Sequence, residues 1–362
     1  MTIFTIKNIH KAYNDCLKHK KNTTNALKFE LNRERNLYSL LKDLQNRTYK
    51  ISRHICFVVT VPTAREIFAA DFRDRIVHHV LYNEIRDLFE NNFIEESYAN
   101  RLGKGTHLAI RKLRYHIVRG GKDGRKLYYL KMDIKGFFRN IDKNILYEEV
   151  AKNIKRSNRE KWWKEEILWI TKIIIFHDPT SNYVFKGANN TRGVVPKHKS
   201  LFYGDRNKGL PIGNLTSQFF ANIYLDKLDH FVKEELKFYR YLRYVDDFII
   251  LDEDKERLEE AIEKINLFLE QKLNLKLAPD KIHLRQVNHG VDFLGYYIKP
   301  THTLVRRKVV RRFKDKMIKN KDMRDGFYLV KFLSVIKSYF GHFKHANSHR
   351  LLEKFKNHSL LV

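Results

Sequence analysis

The spacing of hydrophobic residues along the chain predicts a mixture of strands and helices. Short runs of β-branched and aromatic residues predict strands over residues 55–62, 126–132 and 241–251. Apolar residues three and four positions apart predict amphipathic helices over residues 5–48, 74–89, 108–118, 144–175, 210–231 and 255–273. Residues 177–209 are polar and contain glycines, so we expect a long loop or a lobe insertion there. The pattern is typical of an α+β protein.

Two adjacent acids, Asp246 and Asp247, interrupt the apolar run of residues 241–251. Ionised carboxylates are costly in such a setting unless a cation offsets their charge. A tight hairpin that presents both acids to a divalent metal resolves the conflict. A solvated Asp-Asp turn in an antiparallel sheet is the alternative, because acids are common in turns.

A second acidic position favours the metal site. Asp133 follows the predicted strand 126–132 and precedes a turn that contains Gly136. Asp133 and Asp246 could therefore converge on a pair of divalent cations, an arrangement that stabilises the attacking and leaving oxygens of a phosphoryl transfer. Carboxylate oxygens suit Mg²⁺.

The charge of the chain indicates a polyanionic partner. Lysine and arginine number 71 against 42 acids, the net charge is +29, and aromatic residues make up 13% of the 362 residues. Nucleic acid is favoured over a membrane surface, because no apolar run approaches the length of a membrane span and no signal peptide opens the chain. We expect no membrane partner and a cytoplasmic location. Together with the acids, the charge predicts a nucleotidyltransferase.

Four further basic residues are candidates for phosphate contacts. Arg73 and Arg75 lie at the entry to the predicted helix 74–89, where they either bind template or incoming phosphate or form salt bridges with neighbouring acids. Arg101 and Lys104 lie in a glycine-containing loop before the helix 108–118. Glycines let a backbone approach a phosphate, and a helix N-terminus favours an anion.

The order of these segments, from about residue 55 to about residue 343, resembles that of reverse transcriptases. The resemblance rests on the motif Tyr244-Val245-Asp246-Asp247, on Asp133 followed by Phe137-Phe138, and on Phe293-Leu294-Gly295, which is similar to the family's primer grip. It implies a right-hand polymerase fold with fingers, an antiparallel palm sheet and a helical thumb. It also implies that the protein is an RNA-directed DNA polymerase that binds an RNA template and an RNA/DNA hybrid.

The resemblance assigns roles to individual residues. Asp133, Asp246 and the main-chain carbonyl of Ile134 would hold two Mg²⁺ ions, for which Mn²⁺ is a substitute, and Asp247 would support the site. Phe138 would exclude ribonucleotides, so that the substrates would be dNTPs. Lys281 would protonate the departing pyrophosphate, a sensible role because that leaving group gains charge.

The same resemblance places Arg73, Arg75, Arg101 and Lys104 in finger motifs that contact triphosphate or template. It divides the chain into an N-terminal helical extension (1–50), fingers and palm (51–300, with the palm core at about 124–145 and 208–300) and a helical, basic thumb (301–362).

One segment departs from the general family pattern. Most reverse transcriptases have a glutamine before Gly213 and a proline after Ser217, whereas this chain has Ile212 and Gln218. This form resembles the reverse transcriptases of diversity-generating retroelements, which copy a template-repeat RNA, misincorporate opposite adenine and work with an accessory basic oligomeric protein. Losing an amide beside the nascent base pair could lower discrimination.

Several alternatives to the retroelement subtype stay open. Ile212 could pack under the nucleotide without altering fidelity, and an antiviral-defence or retron-like enzyme could share the motif. A non-catalytic RNA-binding protein on a polymerase fold is disfavoured, because a pure binder needs no cluster of acids such as Asp133, Asp246 and Asp247. In each case we expect the gene to be bacterial, phage or carried by a mobile element.

Overall fold

The computed structural model describes residues 1–18, 20–61, 63–187, 193–319 and 326–359. The predicted strand end at Pro62 and two parts of the predicted thumb, 320–325 and 360–362, lie outside these residues. The helices are α1 (Ile6–Leu17), α2 (Thr24–Glu30), α3 (Arg33–Gln45), α4 (Phe72–Glu90), α5 (Thr106–Gly120), α6 (Phe137–Asn140), α7 (Lys143–Arg156), α8 (Lys161–Phe176), α9 (Leu215–His230), α10 (Lys255–Leu273), α11 (Arg307–Lys319), α12 (Gly326–Phe343) and α13 (His349–Ser359). The strands are β1 (His54–Val59), β2 (Arg65–Ala69), β3 (Tyr128–Asp133), β4 (Tyr183–Phe185), β5 (Arg240–Tyr244), β6 (Asp247–Asp252), β7 (His283–Gln286), β8 (Val291–Phe293), β9 (Tyr296–Ile298) and β10 (Thr303–Val305).

An antiparallel sheet with the strand order β5-β6-β3-β7 lies at the centre of the chain. Its side chains enter two different cores, because successive residues of a strand point to opposite faces. Leu130 and Phe248 share a core with residues of α4, α9 and α10. Tyr129 and Leu242 share the other core with α5, β8 and β9. The sheet is therefore covered on both faces, and its functional groups emerge at its end.

A second sheet contains the first predicted strand. Its order is β2-β1-β4, with β1 antiparallel to β2 and parallel to β4. Strand β4 lies in the segment 177–209, which was expected to be a long loop or a lobe insertion. With three residues, β4 has too few positions to show a period of two, and it forms by pairing with the edge of β1.

The predicted helix 144–175 is divided into α7 and α8. Ser157 ends α7 in an extended conformation, and its hydroxyl donates a hydrogen bond to the carbonyl of Ile154 at 2.6 Å. Serine side chains compete with the helical backbone in this way, and the following residues are polar. The prediction of one continuous helix is therefore wrong, although the apolar residues lie inward in both halves.

The N-terminal helices α1–α3 confirm the predicted helical character of residues 5–48 and share the large core with α4 and α8. At the other end of the chain, a third sheet of order β10-β9-β8 precedes α11–α13. Strand β10 lies within the predicted helical thumb, where buried Thr303 and Val305 alternate with exposed Leu304. Helices α11–α13 surround a small core that includes Phe313, Phe343 and Phe355.

No helix among the described residues is long and apolar enough to cross a membrane.

Candidate active site

Three acids meet at one end of the central sheet. Asp133 is the last residue of β3, and the strand register sets it directly opposite Asp247, the first residue of β6. Asp246 lies in the turn between β5 and β6, since Tyr244 pairs with Asp247 across the hairpin. The structure thus confirms the predicted hairpin and brings the two acidic positions together, although 113 residues separate Asp133 from Asp246 in the sequence.

The turn that carries Asp246 has a costly backbone conformation. Val245 has a φ of +59°, which is uncommon for a residue other than glycine and costs about 1–3 kcal/mol for a β-branched side chain. The guanidinium of Arg243 donates a hydrogen bond to the carbonyl of Val245 at 3.1 Å. Surrounding contacts must hold such a conformation, and Arg243 supplies one of them.

Arg243 is itself fixed by a buried network. Its Nε and Nη2 atoms donate to the carboxylate of Asp229 at 2.7 and 2.6 Å, and its remaining donors reach Asn222 and Ser97. Both side chains of the Arg243–Asp229 pair are fully buried. Burial opposes the charge on Arg243, but Asp229 more than offsets this effect, so the pKa of the guanidinium is raised. The turn that carries Asp246 is therefore held by a buried ion pair between β5 and α9.

Negative charge is concentrated at the acidic end of the sheet. Burial, and next the neighbouring charge of Asp133, raise the pKa of Asp246 to about 6. Burial also raises the pKa of Asp247 to about 6, although the nearby ammonium of Lys131 favours its charged form. The Oδ1 atom of Asp247 is buried without a hydrogen-bond partner. A cation bound here would relieve all three effects.

Asp133 has a lysine partner in this structure. The ammonium of Lys281 lies 2.7 Å from Oδ1 of Asp133, and the main-chain carbonyl of Asp133 accepts a hydrogen bond from Ala278 at 2.9 Å. Lys281 ends a short helical turn that begins at Pro279. The predicted proton donor and the predicted metal ligand are therefore in direct contact, and their catalytic roles remain predictions.

The donor set fits a magnesium ion that a nucleotide helps to hold. Among the described residues, no group of three or more His, Cys, Asp or Glu side chains is arranged to hold a metal on its own. Mg²⁺ is ordinarily bound by one or two carboxylates together with substrate phosphates and water. Asp133 and Asp246 meet that requirement, and Ile134, whose carbonyl is the third predicted ligand, lies buried in a bridge with Leu277.

Phe138 lies just beyond the acids on the short helix α6. Gly136 precedes α6 with a φ of +56°, which lets the chain turn sharply after β3. The main-chain carbonyl of Phe138 accepts a hydrogen bond from Leu210 at 2.8 Å. Its ring is partly buried and lies 5.3 Å from the ring of Phe137. Its predicted contact with the sugar remains a prediction.

The motif around Gly213, which differs from the general family pattern, is hydrogen-bonded to strand β2 and to the residue after it. The carbonyl of Ile212 accepts a hydrogen bond from Phe68 at 2.9 Å, and Asn214 accepts one from Ala70 at 3.0 Å. Gly213 has a φ of +121°, and a Cβ atom there would lie 2.8 Å from the side chain of Ile67. Only glycine fits this close approach. The side chain of Ile212 is half-buried.

Gln218, the other unusual position of this motif, is exposed on α9. Its main-chain amide donates to the carbonyl of Asn214 at 3.4 Å in the first turn of that helix. The side chain is therefore free to face a bound molecule, and its predicted contribution to nucleotide binding remains a prediction.

The four basic finger residues have partners within the protein. Arg73 pairs with Asp43 at 2.7 Å, and Arg75 donates to the carbonyl of Ala70 at 2.9 Å. These contacts fix the start of α4. A phosphate contact by either arginine remains a prediction.

Arg101 and Lys104 also pair with acids. Arg101 is largely buried and lies 2.8 Å from Glu90, while Lys104 forms an ion pair with Glu95. Acids of the protein itself therefore hold both cations of this loop in place. Any contact of Arg101 or Lys104 with phosphate or template uses hydrogen-bond donors that these ion pairs leave free. That contact remains a prediction.

Three basic residues near the site were not among the predicted site residues. The charge of exposed Arg65 on β2 favours the ionised form of Asp246, and Lys131 lies 3.3 Å from Asp247. Arg139 donates to the carbonyls of Ser200 and Tyr203 at 2.9 and 2.7 Å and so holds the segment after β4 against α6. Alternation along β3 could have indicated that Lys131 lies on the same face as Asp133.

Comparisons with known proteins agree on the family. Residues 62–298 match the family described as reverse transcriptase (RNA-dependent DNA polymerase). Protein YkfC of Escherichia coli strain K12 is 23% identical over 268 residues, which cover 65% of this chain and 62% of YkfC. The group II intron-encoded protein LtrA of Lactococcus lactis subsp. cremoris is 20% identical over 331 residues, which cover 74% of this chain and 50% of LtrA. The matched part of the chain thus spans 62% of YkfC and half of LtrA, less than two thirds of either relative.

A solved structure supports the predicted architecture. The apo telomerase from Candida tropicalis, truncated from its C-terminal domain, matches with a TM-score of 0.50 and 16% identity over 71% of this chain and 55% of that one. At this identity the likeness concerns the fold, and it confirms the predicted α+β right-hand architecture.

Proposed function

We propose that this chain, which belongs to the reverse transcriptase (RNA-dependent DNA polymerase) family, synthesises DNA on an RNA template. The observation that most directly supports this is the register of β3 against β6, which sets Asp133 opposite Asp247 and beside the turn residue Asp246. Convergent carboxylates at the end of such a sheet suit the phosphoryl transfer by which a nucleotide is added.

In this proposal the acids divide the work at the site. Asp133, Asp246 and the carbonyl of Ile134 would hold two Mg²⁺ ions, which when bound neutralise charge that develops on the transferred phosphoryl group. Asp247 keeps its carboxylate next to Lys131 and adds to the negative potential that attracts cations. Asp229 fixes Arg243 through a buried ion pair, and Arg243 donates a hydrogen bond to the carbonyl of Val245. These contacts keep Asp246 in the turn conformation that the site requires.

Two further residues would act on the nucleotide. The ammonium of Lys281 would leave Asp133 and donate a proton to the pyrophosphate as the bond to it breaks. Phe138 would block a 2′-hydroxyl, which makes dNTPs the substrates. The template strand and the RNA/DNA hybrid would lie across the end of the central sheet, with the basic helix α11 available for backbone phosphates.

We infer further that the enzyme is of the mutagenic retroelement type, which copies a template-repeat RNA and makes errors opposite adenine. The support is the pair Ile212 and Gln218, together with the backbone contact from Phe68 that fixes Ile212. An apolar side chain at a position where most family members have an amide removes a hydrogen bond that could orient the nucleotide. This subtype would work with an accessory basic oligomeric protein.

The experiment is sequencing of the product made by the purified protein on an RNA template that contains all four bases. We expect complementary DNA from the wild-type protein with dNTPs and Mg²⁺, and errors concentrated opposite adenine. Ile212→Gln should reduce those errors without abolishing synthesis. The same reaction with Asp246→Asn should yield no product.

Each outcome discriminates between proposals. Faithful DNA would contradict the mutagenic subtype and favour an antiviral-defence or retron-like enzyme. Product from Asp246→Asn at the wild-type rate would overturn the assignment of the site. If no DNA forms even with a basic accessory protein and a structured RNA present, the proposed activity is wrong.

A further inference from the structure

We propose that a basic and aromatic surface on the outer side of α5 binds a single-stranded stretch of polynucleotide away from the catalytic turn. This surface, which we call the α5 stripe, consists of five exposed residues on one face of the helix and two residues beside them. Its members are Arg111, Arg114, Tyr115, Val118 and Arg119 of α5, with Tyr239 and Lys233 next to its end.

The stripe is strongly positive. Residues i, i+3, i+4, i+7 and i+8 share one broad helical face, so the three arginines and Tyr115 lie on the same side of α5. Helix α5 contains no acidic residue. Among the described residues, none of the cations Arg111, Lys112, Arg114 and Arg119 forms a salt bridge with an acid, whereas Lys233 pairs with Glu96 at 3.3 Å. Uncompensated cations on one side of a helix suit a phosphate backbone.

Two exposed tyrosine rings lie among these cations. Tyr115 is 47% exposed and Tyr239 is 67% exposed. Lys112 and Arg119 lie 5.8 and 5.5 Å from the centre of the Tyr115 ring, and Lys233 lies 5.5 Å from that of Tyr239. Exposed aromatic rings flanked by cations are the usual platform on which unpaired bases stack while phosphates are neutralised. A double-stranded partner would leave these rings without a role.

A buried histidine connects the two tyrosines. His116 is almost fully buried, its ring contacts that of Tyr239 edge-on with the centres 5.6 Å apart, and its Nε2 atom has no hydrogen-bond partner. Burial, followed by the charges of Lys112, Arg240 and Lys233, lowers the pKa of His116 to about 4. The His116 ring therefore packs as a neutral group behind Tyr239 and fixes the position of that ring at the end of the stripe.

Helix α5 begins beside Tyr244, at the end of the sheet that carries the acids, and the stripe covers the later part of the helix. At the start of α5, Thr106 donates a hydrogen bond to the hydroxyl of Tyr244 at 3.1 Å. At the end of α5, Gly120 lies against the side chain of Arg240. Arg240 is four residues from Tyr244 along β5, so the two residues are about 13 Å apart. A strand that extends beyond the site of synthesis can therefore follow α5.

The test compares the affinity of the full chain for two template–primers by fluorescence anisotropy, with nucleotides omitted. Both carry the same duplex. One of them also carries a single-stranded overhang of about 15 pyrimidine nucleotides, which is placed at one end of the template and then, in a second substrate, at the other end. We expect the overhang to tighten binding to the wild-type protein. Tyr115→Ala combined with Tyr239→Ala should reduce that gain about tenfold or more, because both rings on which unpaired bases can stack are lost.

The control is Tyr38→Ala. Tyr38 is 55% exposed and has Lys42 at 4.8 Å from its ring, but it lies on α3. We expect this variant to keep the full gain. An unchanged gain in the variant lacking Tyr115 and Tyr239, or an equal loss in Tyr38→Ala, would overturn the proposal.

Charge variants give a second readout. Arg114→Gln with Arg119→Gln should lower the salt dependence of overhang binding by about 1.4 in the log–log slope, or about 0.7 for each lost contact with a single strand. Arg35→Gln with Lys42→Gln changes the net charge equally on α3 and should leave the slope unchanged. Equal slopes in the two double variants would contradict the proposal.

The source of the strand follows from the sugar of the overhang. A larger gain with an RNA overhang than with a DNA overhang of the same length assigns the stripe to RNA that is not being copied, and a larger gain with the DNA overhang assigns it to unpaired DNA. No gain with either overhang would overturn the proposal. Binding is measured without synthesis, so the outcome does not depend on the proposed polymerase activity.

Discussion

Removing one partner of the buried pair of Arg243 and Asp229 is expected to cost far more stability than breaking an exposed ion pair. Both side chains are fully buried, and the carboxylate of Asp229 accepts hydrogen bonds from two nitrogens of Arg243 and from the hydroxyl of Tyr241 at 2.7 Å. Asp229→Ala removes all three bonds. It leaves a buried guanidinium without its counter-charge and a buried phenol without its acceptor.

The expected loss is about 3–5 kcal/mol in the free energy of unfolding, the cost of removing one partner of a buried pair. That is a large part of the roughly 5–15 kcal/mol by which domains are stable. Urea unfolding followed by tryptophan fluorescence measures it. The control is Glu260→Ala, which breaks an exposed pair with Lys264 and should cost less than about 1 kcal/mol. Equal losses in the two variants would refute the reasoning.

A double variant separates stability from positioning. Asp229→Leu with Arg243→Met replaces the buried charges by apolar groups, so part of the lost free energy of unfolding should return. The rate of DNA synthesis should not return, because the hydrogen bond from Arg243 to the carbonyl of Val245 is also gone. Full activity of this double variant would contradict the positioning role of Arg243.

Three further changes test other parts of the structure. Phe138→Ala should admit ribonucleotides and lower the ratio of kcat/KM for dNTPs over ribonucleotides; an unchanged ratio would remove its role in sugar selection. Burial lowers the pKa of His78 to about 3, below the value of about 6.5 expected in the unfolded chain. At this position the unfolded chain therefore binds more protons below pH 6.5, and the contribution of His78 to the free energy of unfolding should fall by about 2 kcal/mol from pH 7 to pH 5; urea unfolding at the two pH values should give a change that differs by this amount between His78→Gln and the wild type. Gly213→Ala should lower the free energy of unfolding by about 1–3 kcal/mol in urea unfolding, because its φ is positive and its Cβ would clash with Ile67. Gly341→Ala, in helix α12 with open space around its Cβ, should instead raise it by about 0.5–1 kcal/mol.

The acidic centre could be predicted because its signals are local. Asp133 and the pair Asp246–Asp247 each end or interrupt an apolar run, and a charged residue at such a place needs a special reason. The convergence of the two positions followed from strand pairing. The resemblance supplied the order of the segments, and the register of β3 against β6 agrees with it.

The contacts that hold the centre in place could not be predicted. The bond from Arg243 to Asp229 depends on how α9 packs against β5, and Arg73 reaches Asp43 from an element 30 residues away. Strand β4 forms only because β1 offers an edge, and α7 ends because Ser157 bonds to its own backbone. Each of these features depends on tertiary packing or, for Ser157, on a side-chain hydrogen bond that competes with the helical backbone. Such contacts leave no mark on the spacing of hydrophobic residues along the sequence.

The most direct test of the central claim is the rate of addition of a single dNTP to a primer on an RNA template, measured for three variants and one control. Asp133→Asn, Asp246→Asn and Asp247→Asn each remove a carboxylate charge at the end of β3 and β6. Asp252→Asn makes the same chemical change at the far end of β6, where Asp252 pairs with Arg257. We predict that the first two variants lose at least about a thousandfold in rate, the equivalent of about 4 kcal/mol, that Asp247→Asn is also impaired, and that the control stays near the wild-type rate. Comparable rates in all four variants, with each protein folded, would contradict the assignment of these acids to DNA synthesis.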